Sequence, residues 1–411
     1  MSNLELFIHS ATAMLVIIIL ARLVGSFMVY IKQPRVVGEM IAGVLLGPTL
    51  FSSIVPEVTN YLFADTKPMI YFVGNIGLSF YMFLVGMDID FSKVDQSIRK
   101  QASLLSVFAT VIPFAMGVVA AYLFYDTLAL PSISFLVFAV FMGTALSIMA
   151  FPMLARILDE KKLIQTKLGS LALLSASAQD VVTWILLAFI TSLALNNSFG
   201  RGFITLIGAV CFIFFVFIFL RPVLNKIAQK IKADGEMNQT HFSYIIMAIL
   251  MAAIITDKIG LYSVFGGFIL GLAIPREKIM MDTIKNKMQD IVIVMLLPLF
   301  FAFSGLKTNF LQIFSPGLIV PTLVIVLFAF ACKYIPVFVT MKLSGYSNRE
   351  SSATAGLMNA RGLMELIVAS IGLEYKIIDG NTFSILVLIA VSTTLLAMPI
   401  YNWSMKGVEV K

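Results

Sequence analysis

Thirteen apolar stretches, most of them near or above the roughly 20 residues that a helix needs to cross a bilayer, divide this chain of 411 residues. They lie near 5–31, 36–53, 68–88, 101–125, 132–157, 167–195 and 203–228, then 239–256, 259–275, 288–306, 316–342, 350–373 and 382–403. Backbone polar groups inside hydrocarbon must be satisfied within the segment, so each stretch reads as a helix. The expected fold is all-α, a polytopic membrane protein of about 13 transmembrane helices. Composition agrees, with 60% hydrophobic and 12% charged residues against roughly 45–50% apolar in soluble domains. The first stretch, from Leu4 to Ile31, lacks a basic leader and a small-residue cleavage site, so it reads as a span and not a removable signal.

The formal charge of +7 is explained by loop asymmetry. Cytoplasmic loops collect Lys and Arg. Loops on the Lys32 and Arg35 side, with the C-terminal tail, hold 21 of these residues against 5 on the other side, while Arg22, Lys333 and Arg361 lie within spans. This places the N-terminus outside and the C-terminus in the cytoplasm, and it removes any need for a nucleic-acid partner. Cys211 and Cys332 both sit in apolar segments, and His9 and His241 lack ligand spacing, so neither a disulfide framework nor a resident metal or other cofactor is expected. Gly266, Gly267 and Gly271 fall inside a span with no preceding strand, which points to close helix packing and not to a nucleotide loop. Loops are short and the chain ends eight residues after the last span. A single membrane domain over 1–411, with no soluble regulatory domain, is expected.

Against this background Asp180 is costly. A carboxylate at the centre of a membrane helix costs roughly 2.5 to 3.5 kcal/mol on insertion scales, so such residues usually face a cavity and carry function. Asp180 and its neighbour Gln179 lie mid-way along LSASAQDVVTWILLA, residues 174–188. Two other spans look interruptible. The fifth carries Thr144, Ser147 and Pro152, and the twelfth carries Gly356, Asn359, Arg361, Gly362 and Glu365. Seven spans apart, they run in opposite directions, the arrangement of an inverted repeat whose interrupted helices mark a transporter site. Spans four to six then match eleven to thirteen, and the eleventh brings Lys333 to the depth of Asp180. Asp180 with Lys333 reads either as function or as a structural ion pair. Arg361 and Glu365, spaced i,i+4, read equally as a self-neutralising pair or as coupling groups.

PRVVGEMIAGVLLGP from Pro34, ALSIMAFPMLARIL from Ala145, the pair Gln179 and Asp180, and MNARGLMELIV from Met358 together resemble the monovalent cation/proton antiporter superfamily. The likeness is strongest to the branch of Kef-type potassium/proton antiporters, spore-germination antiporters and plant and fungal cation/proton exchangers, and it covers about residues 15–403. It implies a homodimer with a scaffold part, here approximately 5–88 and 203–306, and a mobile core, approximately 101–195 and 316–403, containing two crossed discontinuous helices. It also implies that Asp180 is the cation-binding aspartate. Gln179 stands where electrogenic members carry Asp and electroneutral ones Asn, and Lys333 where relatives carry a core Lys or Arg. Ser147 marks the unwound step, but Ile148, Met149 and Ala360 depart from the usual pattern.

The expected activity is secondary antiport of K⁺ or Na⁺ against H⁺ in a bacterial inner membrane, with pH homeostasis as its role and no enzymatic chemistry. One group that binds either a proton or a cation, exposed alternately to each side, suffices. Asp180 is that group, with Gln179, Ser147, Thr144 and freed backbone carbonyls of the fifth span as oxygen donors. Gln179 in place of a second acid points to electroneutral exchange. The rival is a channel or uniporter without proton coupling, against which stands the lack of a repeated selectivity-filter loop.

Overall fold

The structure is a computed structural model that describes residues 2–88, 96–164, 166–196 and 199–406. Its described residues are helical throughout apart from turns and one isolated bridge between Ala129 and Ile378. Ten helices are long and apolar enough to cross a membrane, and the bent pair Asn348–Leu357 and Gly362–Glu374, 42° apart, makes an eleventh. The other two expected spans take shorter forms. The segment 132–157 is broken into Phe135–Ser147 and Phe151–Glu160, and 259–275 holds only the 11-residue helix Ser263–Ala273.

Two compact units emerge. The first comprises Met1–Ile19, Glu57–Asp90 and Thr191–Phe303; the second comprises Leu20–Pro56, Phe91–Ile190 and Ser304–Lys411. In the first unit, Ser263–Ala273 packs on Lys67–Asp88 through glycine. A Cβ on Gly267 would stand 2.3 Å from the Ser79 carbonyl oxygen, and one on Gly271 would stand 2.2 Å from that of Phe83. Both distances are far inside van der Waals contact, and both obstacles are backbone. Lipid offers no hydrophobic drive for helix association, so this close approach is itself the source of packing energy. Gly271→Ala is expected to force the two helices apart at a cost of about 1 to 3 kcal/mol, read as a lowered melting temperature of the purified protein. An unchanged melt would show that the helices yield without loss.

The second unit contains both broken pairs, and each break has a readable cause. Pro152 has no N–H, and its ring clashes with the carbonyl four residues earlier, so a helix cannot run through it from Ile148. The first helix ends at Ser147 and the next begins at Phe151, with Pro152 in a first turn where a missing donor costs nothing. At the second break Gly362 has φ +49, a left-handed conformation that side chains with a Cβ rarely adopt. The breaks lie side by side. The Ala150 amide donates to the Ala360 carbonyl at 3.4 Å, and a Cβ on Gly362 would meet the Met153 side chain.

A candidate ion site at the helix breaks

A broken helix inside hydrocarbon leaves unpaired carbonyls at one end and unpaired amides at the other, with partial charges of opposite sign. In the second unit, charged side chains from other helices meet both ends. The terminal carbonyl of Phe135–Ser147, that of Ser147, accepts from Lys333 Nζ at 2.6 Å, and the Ala145 carbonyl accepts from Arg361 Nη1 at 2.9 Å. Two buried cations thus cover the negative end. At the positive end of Phe151–Glu160 stands the Asp180 carboxylate, whose Oδ1 accepts a long bond of 3.5 Å from the Phe151 amide. Its other oxygen, Oδ2, is buried and has no hydrogen-bond partner among the described residues.

Lys333, on the helix Ile319–Leu343, is fully buried and spends its three protons on three neutral oxygens. Besides Ser147, it donates to the Ala109 carbonyl at 2.7 Å and to Gln179 Oε1 at 2.6 Å. It is therefore Gln179, and not Asp180, that holds the ammonium in this conformation. Gln179 Nε2 donates back to the Ser175 carbonyl at 3.2 Å and reaches Met149 Sδ at 3.8 Å.

The remaining expected residues gather in the same unit, and all are buried. Thr144 donates its hydroxyl to the Val140 carbonyl at 2.8 Å, and Ser147 donates to the Thr144 carbonyl at 2.9 Å. Each hydroxyl oxygen keeps lone pairs for accepting. Asn359, at the second break, donates to the Phe330 carbonyl at 3.0 Å while its Oδ1 is unpartnered among the described residues. Arg361 adds a 2.7 Å bond to the Ala329 carbonyl, so it ties the first break to the Lys333 helix. Its contact with Glu365 Oε2 is longer, 3.5 Å, between two fully buried side chains. Among the described residues no cluster of three or more metal-ligating side chains occurs.

Freed carbonyls of the fifth span were expected, and that of Ala145 is one of them; the carbonyls of Ala109 and Ala329 and the amide of Phe151 were not, since alanine and phenylalanine carry no polar signature. The Phe151 amide had one indirect signal, since Pro152 forces a fresh helix start beside it. Glu39, close to the start of the second expected span (36–53), is only 1% exposed, whereas Asp88 pairs with Lys285 at 2.5 Å in the first unit.

A family model described as sodium/hydrogen exchanger, transmembrane, matches residues 11–403. The Na⁺/H⁺ antiporter NhaS4 of Synechocystis sp. is 37% identical over 388 residues, covering 94% of each chain. K⁺/H⁺ antiporter 1 of Saccharomyces cerevisiae is 32% identical, over 97% of this chain and 46% of the yeast protein. Cation/H⁺ antiporter 20 of Arabidopsis thaliana is 35% identical, over 93% of this chain and 47% of the plant protein. The chain spans about half the length of the yeast and plant relatives. In fold it is similar to the sodium proton antiporter MjNhaP1 of Methanocaldococcus jannaschii, with a TM-score of 0.65 over 98% of each chain at 18% identity. With a family model matching residues 11–403, this chain belongs to the sodium/hydrogen exchanger transmembrane family.

Proposed function

We propose that this chain is a secondary antiporter that exchanges K⁺ or Na⁺ for protons, with cation and proton competing for the Asp180 carboxylate. The antiport class rests on family membership and on long matches to relatives named as Na⁺/H⁺ and K⁺/H⁺ antiporters. The site assignment rests on one observation above all. Asp180 is fully buried with an oxygen that is unpartnered among the described residues, while the nearby ammonium is satisfied elsewhere. A carboxylate in that position has two ways to become neutral in effect, by taking a proton or by binding a cation, and the two exclude each other. The Thr144 and Ser147 hydroxyls, in the last turn before the first break, supply hard oxygen lone pairs in this reading. Gln179 joins them only when Lys333 releases its carbonyl.

In this reading the moving core is approximately 101–195 and 316–403, the scaffold and homodimer part is approximately 5–88 and 203–306, and the two broken pairs cross at the site; the second compact unit holds most of that core and also takes in Leu20–Pro56. The compactness of each unit and the contact between breaks support it. Counting both shorter segments as membrane elements restores thirteen, with the N-terminus outside and the C-terminus in the cytoplasm of a bacterial inner membrane, as the loop charges favour.

With Gln179 uncharged, one proton exchanges for one cation and no net charge moves. Moving one charge through 100 mV is worth about 2.3 kcal/mol, which would shift the equilibrium cation ratio roughly 50-fold. In proteoliposomes clamped at different potentials, that ratio is expected to stay constant. A ratio that follows voltage would overturn the electroneutral assignment and leave antiport intact.

A further inference from the structure

The second unit contains a cavity of about 540 Å³ that the ion site does not use. It lies where three helices end together: the last part of Ile319–Leu343, the start of Asn348–Leu357 and the end of Gly380–Ser404. Its chemistry changes with depth. At the mouth stand Arg349 and Lys406, both exposed, and neither has an ion-pair partner among the described residues. The neighbouring carboxylate of Glu350 is turned to the Ser347 amide at 2.9 Å in a capping box and does not line the cavity. Below the mouth one wall is aromatic. Tyr334 and Phe338 stack one helical turn apart, ring centroids 6.2 Å, and Tyr334 lies about 14 Å along the helix from its end at Leu343. Trp403, 78% exposed, stands at the rim. The polar floor is spoken for, since the Ser352 hydroxyl bonds both the Tyr334 hydroxyl and the Ser404 hydroxyl at 2.7 Å.

We propose that this cavity is a binding site for an anionic phospholipid, its phosphate held between Arg349 and Lys406 and an acyl chain laid along Phe338 and Tyr334. Two cations unpaired among the described residues, above an apolar aromatic wall, match an anionic headgroup joined to hydrocarbon. A soluble phosphate would satisfy the mouth and leave the wall unmatched. Basic pockets between membrane helices on the cytoplasmic side recognise anionic headgroups in this manner, and a rim tryptophan suits the interfacial level. The choice of leaflet rests on the orientation proposed above; binding itself does not. An occupant would touch the Lys333 helix one residue from Lys333, and also the first half of the second broken pair.

The test is native mass spectrometry of the full chain in detergent, titrated with dioleoyl phosphatidylglycerol and, separately, with dioleoyl phosphatidylcholine. The wild type is expected to retain the anionic lipid preferentially. Arg349→Gln with Lys406→Gln is expected to lower that affinity about fivefold for each cation removed, roughly 25-fold together, with phosphatidylcholine binding unchanged. Both residues are exposed, so the double variant keeps its melting temperature. Equal retention of the two lipids by the wild type, or undiminished phosphatidylglycerol binding by the double variant, overturns the proposal. Glycerol 3-phosphate separates the two sources of phosphate. It should fail to displace the lipid at matched concentration, and displacement would assign the mouth to a soluble phosphate.

Discussion

Asp180→Asn is expected to abolish proton-coupled cation flux while leaving a protein that folds and accumulates like the wild type. Asparagine keeps the shape of the side chain and keeps an oxygen for the Phe151 amide, and it removes the cost of burying a charge, so the fold has nothing to lose. What disappears is the only function assigned to the carboxylate. The variant takes up no proton, and a cation arriving beside it finds a dipole where a full charge stood. At 4 Å and an effective dielectric near 20, that charge is worth about 4 kcal/mol, close to a thousandfold in cation affinity. The measurement is dequenching of a pH dye in proteoliposomes on addition of Na⁺, K⁺, Li⁺ or Rb⁺, with the melt of the same sample as a control for folding. Exchange that survives in the folded variant would move the site to another buried carboxylate, with Glu365 next in the same unit.

The contrast between Asp180 and Gln179 shows what sequence conveys about such a site. Both were conspicuous as polar residues in an apolar stretch, and both are buried in the site unit. Which of them meets Lys333 was not legible, because depth in the membrane is nearly equal for adjacent residues while direction differs by about 100° around the helix. The structure turns Gln179 to the ammonium and Asp180 to the start of the Phe151–Glu160 helix. The breaks were legible for a different reason. Pro152 and Gly362 carry backbone constraints that act locally, so their residue types announce the geometry. The ninth expected span was less legible. Its glycines marked close packing, which holds at Gly267 and Gly271, but hydropathy alone did not show that the helix there is only 11 residues long.

Two cations on one broken helix also explain why burying them is tolerable. Removing an ammonium from water costs several kcal/mol even after relaxation, and a hydrogen bond to a charged group returns about 1.5 to 3 kcal/mol. Lys333 makes three such bonds and so stands near balance without any anion. None of its three hydrogen bonds goes to Asp180, which leaves that carboxylate's open oxygen for the transported ion. The separation of roles follows from where the carbonyls point, and it is the arrangement that single-site competition requires.

Arg361 is in a different position, and its removal is expected to be the most damaging single change to the fold of this unit. Its guanidinium bonds the Ala145 and Ala329 carbonyls at 2.9 and 2.7 Å, holding the first break against the Lys333 helix, and it is the ion-pair partner of fully buried Glu365. Arg361→Met removes the ion-pair partner of that fully buried carboxylate. Breaking a buried pair from one side costs about 3 to 5 kcal/mol, whereas replacing both members with apolar groups of similar volume is often neutral. The single variant should therefore melt far below the wild type or fail to accumulate, and Arg361→Met with Glu365→Leu should recover much of the loss. The two lost carbonyl bonds set the remainder. Glu365→Gln separates structure from coupling, since it keeps shape and hydrogen bonding but cannot carry a proton. Its weak 3.5 Å contact with Arg361 points to charge compensation as its task, so the folded variant is expected to retain cation-driven proton flux in the pH-dye assay. Loss of that flux with an unchanged melt would make Glu365 a second proton site and remove the basis for one-for-one exchange.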